Sequence, residues 1–179
     1  CFVPLAVGGH IDSVAYGSSL IFSGADKLII NTLWEADVEV VSFLSKKFGK
    51  QCIVASIDVK MNNQNIKEVY VNRGNRSVGC SAIQWAMFCE KNGAGEIFFN
   101  NINHDGNRKG YDLETISEIS KKVKIPLIAF GGVFSWKHVL EGLNAGADAV
   151  AAANIFHYKE MAIKQAKRYL LRQNIKIRN

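Results

Sequence analysis

Six short apolar, β-prone runs alternate along this chain with six amphipathic stretches of helical length. That order marks βα units laid around a parallel sheet, because parallel neighbours need a crossover between them and a helix supplies it. The runs predict strands at 3–7, 27–30, 52–57, 96–100, 126–130 and 149–152, and their mostly continuous apolar character fits a sheet covered on both faces. The spacing predicts helices at 13–23, 36–48, 81–91, 113–122, 135–144 and 159–173. Asp12 or Ser13, then Asp112 and Ser135, stand where a side-chain oxygen can accept from first-turn N–H groups. Gly24, Gly49, Gly93 and Gly146 fall just past helix ends, where a left-handed residue turns the chain toward the next strand. Between Asp58 and Gly79 the alternation breaks. Residues 68–71 are strand-like between asparagine-rich turns, and predict a β-hairpin insertion.

The chain also resembles itself. Val3-Pro4-Leu5-Ala6-Val7-Gly8-Gly9 is echoed by Ile125-Pro126-Leu127-Ile128-Ala129-Phe130-Gly131-Gly132, and each copy leads through a helix and a Gly-Ala-Asp to another strand. Gly24-Ala25-Asp26 leads to Asn31, and Gly146-Ala147-Asp148 leads to Asn154. Pro4 and Pro126 lie 122 residues apart, which at roughly 30 residues per βα unit is four units, half of an eight-stranded barrel. A doubly wound open sheet does not require such half-to-half symmetry, so the repeat favours a (β/α)8 TIM barrel. Six of the eight units are present. The expectation is a single partial barrel domain over 1–179 that lacks the first two βα units and enters at the third strand.

Composition excludes other classes. With 179 residues, 48% hydrophobic, 21% charged, 15 Gly and 2 Pro, the chain is neither disordered nor collagen-like. No apolar stretch approaches the roughly 20 residues needed to span a bilayer, and no secretory signal stands at the start, so a cytoplasmic protein is expected. Cys1, Cys52, Cys80 and Cys89 are too widely spaced for a zinc knuckle and read as free thiols, and no metal site is expected. The 22 basic against 16 acidic residues give +6, with the cations scattered except for the run from Lys159 to Arg178. A phosphorylated substrate, nucleic acid or a solvated helix face each accommodates that charge. No nucleic-acid module is recognisable.

In such a barrel the chemistry sits at the C-terminal ends of the strands. The polar residues there are Gly8 and Gly9, Asn31 and Thr32, Asp58 with Lys60, Asn100 to Asp105, Gly131 and Gly132, and Asn154. Two symmetry-related Gly-Gly turns and two symmetry-related asparagines point to backbone N–H cradles for two anions, hence to a bisphosphorylated small molecule. Asp58, directly after an apolar run, suits a general acid/base; a cap or an ion pair with Lys60 fits the spacing equally. Asp105 reads as a second carboxylate at the next mouth or as an Asx turn with Gly106.

These motifs together resemble a known family. Pro4-Leu5-Ala6-Val7-Gly8-Gly9, Gly24-Ala25-Asp26-Lys27 with Ile30-Asn31-Thr32, Ile57-Asp58, Gly93-Ala94-Gly95-Glu96-Ile97, Asp105-Gly106 with Gly110-Tyr111-Asp112, and Gly131-Gly132 through Ile155-Phe156-His157 are similar to the cyclase subunit of imidazole glycerol phosphate synthase, HisF. The resemblance implies a (β/α)8 barrel of the HisA/HisF type. It implies a lyase/cyclase of histidine biosynthesis that takes ammonia from a glutamine amidotransferase subunit (HisH-like) and converts a phosphoribulosyl aminoimidazole-carboxamide nucleotide to imidazole glycerol phosphate and aminoimidazole carboxamide ribonucleotide. No cofactor, nucleic acid or membrane is implied. Of the family's two catalytic aspartates, Asp58 matches the one on the fifth strand, and the other is expected in the lacking first strand. The resemblance places Gly9, Asn31 and Thr32 around one phosphate and Asp105, Gly106, Gly132, Ala153 and Asn154 around the other. It places Asp26 at the partner interface and Lys27 and Glu96 in the ring that gates the ammonia entrance; a plain surface ion pair is the alternative for the last two.

Departures from the family pattern are His10 for the third glycine of the first turn, Asn100 and Asn103 for a hydroxyl residue and an aspartate, and Asn154 for a small hydroxyl residue. They favour, as an alternative, a HisF-like paralogue that feeds ammonia to amidation of a surface-polysaccharide sugar. A truncated, inactive phosphate-binding remnant is the third reading.

Overall fold

The structure, a computed structural model, describes residues 2–158 and 160–177. Among the described residues the strands are β1 (Ala6–Gly8), β2 (Lys27–Ile30), β3 (Ile53–Met61), β4 (Lys67–Val71), β5 (Arg76–Ser77), β6 (Glu96–Asn101), β7 (Leu127–Phe130) and β8 (Ala149–Val150). The helices are α1 (Val14–Phe22), α2 (Leu33–Ala36), α3 (Val38–Phe48), α4 (Ala82–Lys91), α5 (Leu113–Ser120), α6 (Trp136–Asn144), α7 (Asn154–Tyr158) and α8 (Ala162–Arg172). Strands β1, β2, β3, β6, β7 and β8 pair in that order, every pair parallel, with a helical crossover each time. This is an arc of a (β/α)8 barrel.

Strands β2, β6 and β7, and β3 from Ala55 on, alternate between two environments. Leu28, Ile30, Ile53, Ala55, Ile57, Val59, Ile97, Phe99, Leu127 and Ala129 are buried in one core with Val41, Leu44, Trp85, Ala86, Ile116 and Ile119 of the helices. The intervening residues are only half-buried: Lys27 and Ile29, Ser56 and Asp58, Glu96, Phe98 and Asn100, Ile128 and Phe130. Both faces were expected to be covered. Among the described residues, however, β1 and β8 each pair with one strand only, so the concave face is open and β1 carries exposed Ala6 and Gly8. Such an edge presents unpaired backbone groups.

Local chemistry explains the elements. Ser13, not Asp12, caps α1 by accepting from the N–H of Tyr16, and Ser135, 122 residues on, caps α6 by accepting from His138. Asp112 caps α5, and Ser81 with Gln84 forms a capping box on α4. The repeat extends to the strand starts. The carboxylate of Asp26 accepts from Leu5 N at 2.7 Å, and that of Asp148 accepts from Leu127 N at 2.9 Å.

Five boundaries differ markedly from expectation. The strand expected at 3–7 lies at Ala6–Gly8, and the one at 149–152 is shortened to Ala149–Val150, both because an edge strand has one partner to set its length. The helix expected at 36–48 starts at Val38, since Asp37 leaves helical backbone and accepts from Glu39 and Val40 as a cap; the short α2 precedes it. The helix expected at 159–173 begins at Ala162, after left-handed Met161, and Lys159 lies outside the described residues, as do Cys1 and Arg178. Finally, β3 does not stop at Ile57. It runs to Met61 because β4 pairs antiparallel with its second half, making the expected hairpin. No described helix is long and apolar enough to cross a membrane.

Candidate active site

The strand ends set the layers of the concave face. Parallel register puts Asp58 beside Asn100, and Asn100 beside Phe130. Asn31, one residue past β2, reaches the same level. Its amide N–H groups go to the carbonyl of Ser56 at 3.1 Å and to Oδ2 of Asp58 at 3.2 Å. The amide of Asn100 donates to Oδ1 of Asp58 at 3.0 Å. Asp58 is therefore neither a helix cap nor an ion-pair partner of Lys60, whose ammonium donates to the carbonyl of Gly74 at 2.6 Å and lies over the ring of Tyr70. Both carboxylate oxygens are held by neutral amides, so the group is fixed in direction without a counter-charge. Burial raises its pKa; the Asn100 hydrogen bond opposes that rise, and the negative charge of Asp105 adds to it. A carboxyl raised in this way is nearer to exchanging protons at neutral pH.

Two mouths open at the strand ends, and Asp58 lines the first of them. The first is walled by Gly8, Gly9, His10, Asn31 and Thr32, with the hairpin tip at its rim. Gly9 has φ 109° with open space where a side chain would project, so its backbone is free to meet a ligand. Thr32 Oγ1 donates to Asn31 Oδ1 at 3.3 Å and accepts from the N–H of Asn72 at 3.1 Å. A chain of hydrogen bonds thus runs from the hairpin through Thr32 and Asn31 to the Asp58 carboxylate.

The second mouth is walled by Asp105, Gly106, Gly131, Gly132, Ala153 and Asn154. Gly110 N donates to the carbonyl of Gly132 at 2.8 Å, and Nδ1 of His104 donates to that of Gly110 at 2.9 Å, tying the loop after β6 to the turn after β7. A Cβ on Gly132 would meet the Gly110 oxygen at 2.5 Å and lies at φ 83°, so glycine is required there. Arg108, over the ring of Phe134 at 4.5 Å, completes this wall with Tyr158. Sequence reasoning did not single out Arg108, Phe134 or Tyr158; a basic residue between the loop glycines Gly106 and Gly110 is the signal that could have found the first.

At the opposite ends of the strands, Lys27 and Glu96 form the ion pair the sequence brought into question, each less than a third exposed. Asp26 lies at the same end, exposed, with one carboxylate oxygen committed to Leu5 N. All twelve site residues read from the sequence thus fall into three groups: the first mouth with Asp58 in its wall, the second mouth, and the opposite end.

Comparison with known proteins gives this geometry its lineage. The family described as "Histidine biosynthesis protein" matches residues 1–162. The chain belongs to that family. It is 40% identical over 176 residues to the imidazole glycerol phosphate synthase subunit HisF of Pyrobaculum aerophilum, covering 98% of this chain and 69% of that protein. It is 42% identical over 178 residues to the HisF subunit of Dehalococcoides mccartyi strain BAV1, covering 99% of this chain and 70% of the relative, and 41% identical to that of strain CBDB1. HisF subunits of imidazole glycerol phosphate synthase are thus its relatives along nearly its whole length.

Proposed function

We propose that this chain is the cyclase subunit of an imidazole glycerol phosphate synthase, a single partial (β/α) barrel domain over 1–179 working in the cytoplasm with a glutaminase (HisH-like) subunit. The observation that carries this reading is Asp58, fixed by the amides of Asn31 and Asn100 in the wall of the first of two glycine-turn mouths. A bisphosphorylated nucleotide would lie across that carboxylate with one phosphate at Gly9, Asn31 and Thr32 and the other at Asp105, Gly106, Gly132, Ala153 and Asn154. Asp58 then moves a proton while ammonia attacks the ribulosyl carbonyl, the carbonyl oxygen leaves as water, the imidazole ring closes and aminoimidazole carboxamide ribonucleotide leaves. Lys27 and Glu96 would gate ammonia entering at the opposite end, beside a partner docked over Asp26.

The test is ammonia-dependent turnover of the phosphoribulosyl nucleotide by the full-length protein and its Asp58→Asn variant. General acid/base work is commonly worth ~10²–10⁴-fold, so kcat should fall within that range while nucleotide binding persists. Undiminished turnover would remove Asp58 from the mechanism. His10, Asn100 and Asn103 support a second reading, a paralogue supplying ammonia for amidation of a surface-polysaccharide sugar. A folded chain that binds phosphate but never turns over the nucleotide would favour it.

A further inference from the structure

His10 occupies the repeat position of Gly132, 122 residues earlier, and shares its left-handed backbone, with φ 51° against 83°. In the second mouth that position must be bare, because the Gly110 and His104 carbonyls fill the space beside it. In the first mouth the corresponding space is met by the hairpin tip. There Nη2 of Arg73 lies 2.8 Å from Nε2 of His10. A guanidinium can only donate, so Nε2 accepts, the imidazole is neutral and its proton sits on Nδ1. The pair therefore carries one positive charge, on Arg73.

That charge has no carboxylate partner among the described residues. The nearby Arg76 is paired with Glu35, and Lys60 is spent on the Gly74 carbonyl and the Tyr70 face. The tip is also held in place. Asn72 N donates to Thr32 Oγ1, the Lys60 ammonium holds the Gly74 carbonyl, and Asn72, Arg73 and Gly74 run consecutively through left-handed backbone at φ 51°, 57° and 75°. Left-handed conformations in non-glycine residues cost energy and persist where surrounding contacts enforce them. The result is an unneutralised guanidinium at the rim of a mouth floored by the Gly9 backbone, aimed by a neutral imidazole.

We infer that Arg73, positioned by His10, is an anion-binding side chain of the first mouth and closes it over a phosphomonoester. The inference rests on the reading of that mouth as a phosphate site and adds the group that neutralises the ligand. Backbone N–H groups of the glycine turn supply partial charges, whereas Arg73 supplies a full one with a fork that matches phosphate oxygens.

The experiment is an amide ¹⁵N–¹H titration of the protein with inorganic phosphate. The Gly9 and Thr32 amides report the first mouth, and the Gly106 and Gly132 amides report the second. Arg73→Gln should weaken phosphate about tenfold or more at the first pair and leave the second pair unchanged, since charge-assisted bonds are about twice as strong as neutral ones. Arg73→Lys, which keeps the charge and loses the fork, should recover part of the loss. Arg73 is exposed at a turn, so overlay of the remaining amide peaks checks the fold. Unchanged affinity at Gly9 and Thr32 in Arg73→Gln, or equal weakening at both mouths, overturns the inference and leaves the phosphate reading standing. No phosphate-induced shift at Gly9 and Thr32 in the unaltered protein overturns both.

Discussion

Replacing Asp112 with alanine should destabilise this fold by about 3–5 kcal/mol, and the structure apportions the loss. The carboxylate, on a residue 5% exposed, caps α5 by accepting from Thr115 N, a contribution of ~1 kcal/mol. It also accepts from the amide of buried Asn101 at 2.7 Å; without it that donor is buried and unpaired, costing ~1–3 kcal/mol. The remaining bonds, from Lys67 Nζ at 3.0 Å and Thr115 Oγ1 at 3.0 Å, contribute about 1 kcal/mol more, because Lys67 is partly exposed and retains Glu114. At an m-value of ~2 kcal/mol/M the urea midpoint should drop by about 1.5–2.5 M. The same carboxylate sets an acid limb. Burial pushes its pKa up, but the bonds from Lys67, Asn101 and Thr115 outweigh burial, so it lies below the ordinary carboxylate value. Its contribution is then fully present above about pH 4 and is lost as pH falls through the lowered folded value. Asp112→Asn should flatten that limb. A midpoint change below ~0.5 M for Asp112→Ala would refute the reasoning.

Other perturbations test the site. Gly132→Ala forces a side chain onto the Gly110 carbonyl at a left-handed position; it should cost ~2–4 kcal/mol and abolish phosphate binding at the second mouth alone, as read by amide shifts. Lys27→Met leaves Glu96 without its counter-charge, and a double-mutant cycle with Glu96→Gln should return a coupling of ~0.5–2 kcal/mol; zero coupling would make the pair incidental. With Asp58 raised by burial, the acid limb of kcat/KM should lie above the ordinary carboxylate range. Asn100→Ala, which removes the opposing hydrogen bond, should move that limb further up, and a profile that stays in place would detach Asn100 from Asp58.

Much of this architecture was legible from residues alone. The apolar runs at Leu28, Ile53 and Ile97 mark strands because a helix-covered sheet face needs side chains without polar groups. The 122-residue echo held down to matched caps at Ser13 and Ser135 and matched carboxylates at Asp26 and Asp148, since a duplicated unit repeats its local hydrogen bonds as well as its core. Asp58 was legible because a carboxylate closing a buried run must either be paired or be placed for use. Where β3 ends was not, because an antiparallel partner at Lys67–Val71 extends it from outside its own sequence.

Sequence by itself determined the parallel βα order, the caps and the glycine turns, all of which depend on a few consecutive residues. Tertiary structure alone decided that the amides of Asn31 and Asn100 converge on one carboxylate, that the charge of Lys60 is spent on the hairpin, and that Arg73 reaches His10 across 63 positions of chain. Those contacts depend on strand register and on the angle at which the hairpin folds back over the mouth. Residues distant in the chain set both, through packing and hydrogen bonds that leave no local pattern.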